Sequence, residues 1–87
     1  MNNVNPNAKH SASQTRRILE FMREGNTITP GEARALFGSD RLGARIADIE
    51  KIVGYKPPRK FVKVVGFDVD GKPVEKRVMQ YWLHPES

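Results

Sequence analysis

The chain has 87 residues, a formal net charge of +5 and no cysteine. That length suits one domain near the lower limit of what a lone hydrophobic core stabilises, so any site is expected on the surface. Disulfide frameworks and thiolate zinc sites are excluded, His10 and His84 lie near opposite ends, and no apolar run approaches the roughly 20 residues that span a bilayer.

Met1 to Ala12 is rich in Asn and Ser and nearly devoid of large apolar residues, which predicts a flexible arm over residues 1–12. Lys9 and His10 would let such an arm follow a DNA groove; an idle terminus is the plainer reading. A first helix is expected from about Ser13 to Glu24, capped by Ser11 or Ser13 and stopped at Gly25. Ile18, Leu19 and Met22 supply its inward face, with Phe21 at the edge. Ile28 fits a very short extended piece. The next helix has a complete start signal: Thr29 as N-cap, Pro30 at the first helical position and Glu32 closing a capping box. Ala33, Leu36 and Phe37 form its apolar stripe, and Gly38 stops it. Ser39 is expected to cap a third helix with Asp40 in its first turn. Leu42, Ile46, Ile49 and Val53 are spaced as its buried face, and Gly54 ends it.

After Gly54 the composition becomes β-rich. Pro57 and Pro58 forbid helix, Lys60 to Val69 and Val74 to Leu83 read as strands, and Asp70-Gly71 between them is a short hairpin signal because it accommodates positive φ. Tyr81 and Leu83 are expected to face the helices with Val62 and Val64 as cross-strand companions, an assignment that a one-residue slip would reverse.

Helix, short strand, helix, corner, helix, hairpin is the connectivity of a winged helix-turn-helix domain. The expected fold is thus α+β and mainly helical, a three-helix bundle followed by a C-terminal β-hairpin wing over residues 13–84. In that architecture the third helix enters the major groove and the wing reaches flanking backbone. Stepping about 100° per residue points Arg41, Ala44, Asp48 and Lys51 away from the core, with Arg45 on its border and Ser39 at the helix start. Arg41 is the preferred base reader, since a guanidinium can donate two hydrogen bonds to guanine. Ala44 and Ala47 are small enough for close approach. Arg45 equally fits an internal ion pair with Glu20 or Asp48. Lys51 also reads as simply solvated, and Asp48 would repel phosphate unless it orients a neighbouring Arg.

On the wing, Lys56, Arg59, Lys60, Lys63, Lys72, Lys76 and Arg77 crowd a segment with few acids and fit a phosphate track; Lys72, just after the turn glycine, is the tip candidate. Lysines on edge strands also serve to block aggregation. Phe61, Phe67 and Trp82 interleave with these charges but lack the sheet of an RNA-recognition module, so core packing or a dimer interface is expected, Trp82 first for the latter. No nucleotide-binding loop, metal-ligand spacing or nucleophile-base arrangement is visible, so neither enzyme activity nor a cofactor is expected.

The run from Gln14 to Gly54, with its I-L-E-F-M, T-I-T-P-G-E-A, L-F-G and R-L-G-A-R-I-A-D-I elements, resembles small winged helix-turn-helix proteins common in phages and prophages. The later G-K-P-V and Y-W-L elements fit the wing of the same group. The resemblance implies DNA binding and gene regulation, and places Arg41 and Arg45 on the DNA-facing helix. The chain departs from the older repressor pattern: with Gly38 as corner glycine the turn is longer, and K-P-P-R and the long strands enlarge the wing.

The expected function is sequence-specific binding of double-stranded DNA, as a phage or prophage transcriptional regulator in the cytoplasm, nucleoid-associated when bound. Two rivals stand beside it: a phage-encoded inhibitor that binds a host protein through the winged-helix surface, and an excisionase-like architectural DNA protein. One reading helix contacts few base pairs, so useful specificity calls for a homodimer or another partner; no membrane partner is expected.

Overall fold

Helix α1 spans Pro6–Arg23 in the computed structural model, which describes residues 6–85. It begins well before the expected cap at Ser11 or Ser13, so residues 6–12, read as arm, are helical backbone; the remainder of that arm lies outside the described residues. Pro6 suits the first helical position, and Ala8, Lys9 and Ala12 are good helix formers. Once Ile18, Leu19 and Met22 anchor the far end by burial, each added turn costs only propagation and not a new nucleus. Gly25, at φ +93°, takes the chain out of the helix, and Asn26 Nδ2 donates to the Phe21 carbonyl at 2.9 Å.

Helix α2, Pro30–Phe37, starts as its sequence predicts. The Thr29 hydroxyl accepts from the Glu32 N–H, and the Glu32 carboxylate accepts from the Thr29 N–H at 3.0 Å, so both halves of the capping box are made. Gly38 is left-handed at φ +66° and satisfies late carbonyls through its N–H. Of the apolar stripe, Ala33 is buried and Phe37 meets Phe21 edge-on at 5.4 Å, but Leu36 is half exposed. With only eight residues, α2 presents too narrow a face to bury all of them.

Helix α3, Leu42–Val53, departs from expectation at its start. Ser39 does not cap it: the N-cap is Arg41, no side chain accepts there, and Ser39 is buried with its N–H donated back to Ala33 O. Asp40 reaches Arg34 at 2.9 Å and is outside the first turn of α3. Leu42, Ile46 and Ile49 are buried and Val53 packs against them, as the spacing predicts.

Two antiparallel strands follow, β1 (Arg59–Phe67) and β2 (Pro73–Tyr81). Their register pairs Arg59 with Tyr81, Val62 with Val78, Lys63 with Arg77 and Phe67 with Pro73. At the tip, positive φ falls on Gly71 and not on Asp70. Among the described residues only glycines have positive φ, Gly71 N–H closes a turn on Asp68 O at 3.0 Å, and Asp68 Oδ1 accepts from the Asp70 and Lys72 amides at 2.9 Å. The carboxylate of Asp68 thus closes a loop over residues 68–72, whose length sets the register of the strands. Tyr81 is buried and Leu83 packs on the core, as expected, but Val62 and Val64 lie on the opposite face from Tyr81.

Ile28 and Tyr81 exchange backbone hydrogen bonds of 2.9 Å in both directions, tying the α1–α2 connection to the base of the hairpin. The core lies between this bridge and the helices: Ile18, Leu19 and Met22 from α1, Ala33 from α2, Leu42, Ile46 and Ile49 from α3. Fully burying each of the larger aliphatic side chains is worth about 1.5–3 kcal/mol. Beyond Tyr81 and Met79 the hairpin contributes nothing to that cluster, and its nine-residue strands extend roughly 30 Å. The molecule is accordingly flat, 51 × 40 × 17 Å. Among the described residues no helix is long and apolar enough to cross a membrane.

Candidate nucleic-acid interface

The exposed face of α3 is set by two packing contacts. Leu42, Ile46 and Ile49 turn one side into the core, and α1 occupies a neighbouring flank, where the Thr15 hydroxyl donates to Asp48 Oδ2 at 3.2 Å. Ala44 and Asp48 are half-buried and not outward, and Arg45 is covered more deeply. Solvent reaches Gly43, Ala47, Glu50 and Lys51 along one arc, displaced around the helix from the face expected from core spacing alone, and Ile52 on the other flank near the helix end. Gly43 and Glu50 were missed because the apolar stripe reports the core and not the second neighbour. The available signal was the pair of mid-sized polar residues Gln14 and Thr15 on α1, both buried and both engaged, Gln14 donating to Gly38 O at 3.2 Å.

Arg45 is mostly buried. Its Nη2 is 3.5 Å from Asp48 Oδ2 and its Nε has no hydrogen-bond partner among the described residues. Of the two internal partners open to it, Asp48 is the one engaged. The carboxylate of Asp48 is thus shared by Thr15 and Arg45, which holds it on the α1 side of the helix. Ser39 is a further correction: it is buried, and its hydroxyl has no hydrogen-bond partner among the described residues, so it cannot face a ligand.

Arg41 precedes α3, exposed and in no ion pair among the described residues. Its carbonyl accepts from the Ala44 and Arg45 amides, while no side chain caps the helix. A Cβ added at Gly43 would meet nothing within 4 Å. The start of α3 therefore combines a guanidinium, uncapped helical N–H groups and open approach, three features that favour an anion. The contrast with α2, whose start is closed by Thr29 and Glu32, is local and chemical. Lys51 is exposed at the rim of a shallow groove between α1 and α3 lined also by Leu19, Glu20 and Ile52.

The hairpin cations divide between two faces. Lys63 and Arg77 are directly opposed on the face that also carries Arg59 and Tyr81, and Lys60 and Lys76 lie on the other. A single continuous track is thus not formed. Arg59 is turned inward: its Nε and Nη2 both donate to Pro57 O at 3.2 Å, and its guanidinium sits 4.8 Å over the Tyr81 ring. Arg77 lies 5.3 Å over Phe61. Opposed like charges at Lys63 and Arg77 are unfavourable unless an anion bridges them. Lys72 is exposed at the tip, with its backbone locked to Asp68 and two aspartates, Asp68 and Asp70, close in sequence. Comparison with protein-family models, with curated proteins and with solved structures finds no match.

Proposed function

We propose that the chain is a winged helix-turn-helix protein that binds double-stranded DNA, with the start of α3 in the major groove and the hairpin as a wing against phosphates, and that it acts in gene regulation of the phage or prophage type. The observation that carries this reading is the open start of α3. An unpaired Arg41 stands beside uncapped N–H groups, on a helix whose exposed arc begins with Gly43 and Ala47. Small residues there allow the helix axis to approach base edges, and a guanidinium at the leading end suits guanine or phosphate. Glu50, further along the same arc, can accept from a cytosine amino group. Asp48, which would repel phosphate if it were free, is held by Thr15 and Arg45.

Support from the hairpin is electrostatic. Lys63 with Arg77, Lys60 with Lys76, and Lys72 at the tip provide cations on both faces, consistent with the net charge of +5. Titration against duplex DNA at several salt concentrations tests the proposal, because neutralised phosphates release counterions and affinity must fall with salt. No binding at low salt, or binding indifferent to salt, overturns it.

A further inference from the structure

The far part of the hairpin carries large apolar side chains on both faces, among its cations, yet no other element of the described residues packs over them. Phe61, Val65 and Phe67 are 59%, 64% and 74% exposed on one face, and Val62, Val64, Val74 and Val78 line the other. A two-stranded ribbon is marginal in water without a further strand or a helix on it. Phosphates do not explain such a surface, since aliphatic and phenyl groups gain nothing from them.

The free backbone of β1 points to what extends this ribbon into a wider sheet. Tyr81 spends its N–H and C=O on Ile28, so its pair with Arg59 carries no hydrogen bonds between the strands, whereas Trp82 N–H does donate to Pro58 O. Alternation along the ladder then turns the backbone N–H and C=O of Arg59, Phe61, Lys63, Val65 and Phe67 away from β2. This edge has no proline within it. The outer edge of β2, by contrast, is closed at one end by Ile28 and at the other by Pro73, which has no N–H to donate.

We propose that two copies of this chain pair antiparallel through the free edge of β1 about a two-fold axis at Val64, forming one continuous sheet in the order β2-β1-β1-β2. In this register Phe61 lies opposite the partner's Phe67, Lys63 opposite the partner's Val65, and Val62 opposite the partner's Gly66. With the existing pairs, one face gains a row running Met79, Phe61, the partner's Phe67 and the partner's Pro73. The other gains a row of Val78, Val62, the partner's Gly66 and the partner's Val74. Aromatic and β-branched cross-strand pairs of this kind are the favourable unit of sheet association. Centring the axis on Lys63 would oppose the two Lys63 side chains and extend them into a row with both Arg77 residues, a like-charge clash. Shifting it to Val65 leaves Phe61 without a strand partner, and shifting it to Val62 brings in Pro57. A lysine on an edge strand usually keeps other strands away; the offset at Val64 places it beside an apolar residue and makes it a selector of register. The inference stands independently of DNA binding.

Sedimentation equilibrium of the full chain without DNA is expected to show a dimer, and Val65→Pro is expected to convert it to monomer. Proline at that position removes only an outward N–H, so the hairpin's own ladder survives and the circular dichroism spectrum and unfolding midpoint of the helical core stay close to the parent's. Register is read with single cysteines in this cysteine-free chain. Val64→Cys should form an intermolecular disulfide on mild oxidation, because the axis places two non-hydrogen-bonded Cα atoms within bridging distance, whereas Val62→Cys and Gly66→Cys should not. A monomer at every concentration, a dimer that survives Val65→Pro, or equal cross-linking of all three cysteine variants overturns the proposal, the last two by showing that another surface or register holds the copies together.

Discussion

Thr15 on α1 donates its hydroxyl to Asp48 on α3 across 3.2 Å, and Arg45 approaches the same carboxylate at 3.5 Å. Together with the core packing of Leu42, Ile46 and Ile49, this shared carboxylate sets which residues of α3 reach solvent. Removing it by Asp48→Ala leaves the mostly buried Arg45 guanidinium without its ion-pair partner and the Thr15 hydroxyl without its acceptor. A loss of about 1–3 kcal/mol is expected, read as a lower urea midpoint with an unchanged slope. Stability equal to the parent's would show that Asp48 is a surface residue without a structural task.

Arg41 has no such internal duty, so Arg41→Ala should leave stability within about 0.5 kcal/mol of the parent. Its effect is expected on recognition: discrimination among duplexes selected from a random pool should relax by about 1–3 kcal/mol at one or two positions. A uniform weakening across all sequences would instead assign Arg41 to the phosphate backbone.

Much of the fold was readable because the signals were local. Thr29-Pro30 with Glu32 specifies a helix start by hydrogen bonds within a few residues, and the spacing of Leu42, Ile46 and Ile49 specifies a buried face. The face of Val62 and Val64 came out reversed for a reason of the same scale: Asp68 supplies a side-chain acceptor to two amides, and dipeptide patterns such as Asp-Gly do not include that carboxylate. The site was harder because it depends on what packs beside α3. Asp48 points away from the core on a wheel, yet α1 meets it through Thr15; Ala44 is half-buried as well, and Gly43 and Glu50 are on the outside. Arg59 illustrates the same limit: its charge was visible, but not the Pro57 carbonyl that engages it.

Thr29 offers a test of the local signals themselves. Thr29→Ala removes the hydroxyl that accepts from Glu32 N–H and leaves the start of α2 with one fewer acceptor, an expected loss of about 1 kcal/mol; Thr29→Ser should restore most of it. The check is thermal unfolding of all three proteins side by side, with an alanine variant as stable as the threonine parent counting against the cap.

Lys72 at the hairpin tip should behave oppositely to Arg41 in binding. Its ammonium has no ion-pair partner among the described residues, so Lys72→Ala is expected to weaken every duplex by a similar factor and to reduce the salt slope by about one ion. If the slope is unaltered while affinity for one sequence alone drops, the tip reads sequence and is not a phosphate contact.

The tip's shape depends on two residues that have different physical roles, and they can be separated. Gly71 sits at φ +78° with open space where a Cβ would go, so Gly71→Ala is disfavoured by backbone conformation alone, at about 1 kcal/mol. Asp68 acts through its carboxylate, which accepts from two amides at 2.9 Å; Asp68→Ala loses both bonds, while Asp68→Asn retains a carbonyl acceptor. Both alanine variants should speed hydrogen exchange along β1 and β2, because a ribbon that contributes little to the core is held mainly by its ladder and its turn. Exchange in α1 and α3 should stay as in the parent, since the distal hairpin shares no buried residue with them. Faster exchange throughout the chain would mean that hairpin and helices open as one unit, and the Ile28–Tyr81 bridge would then be the link that couples them.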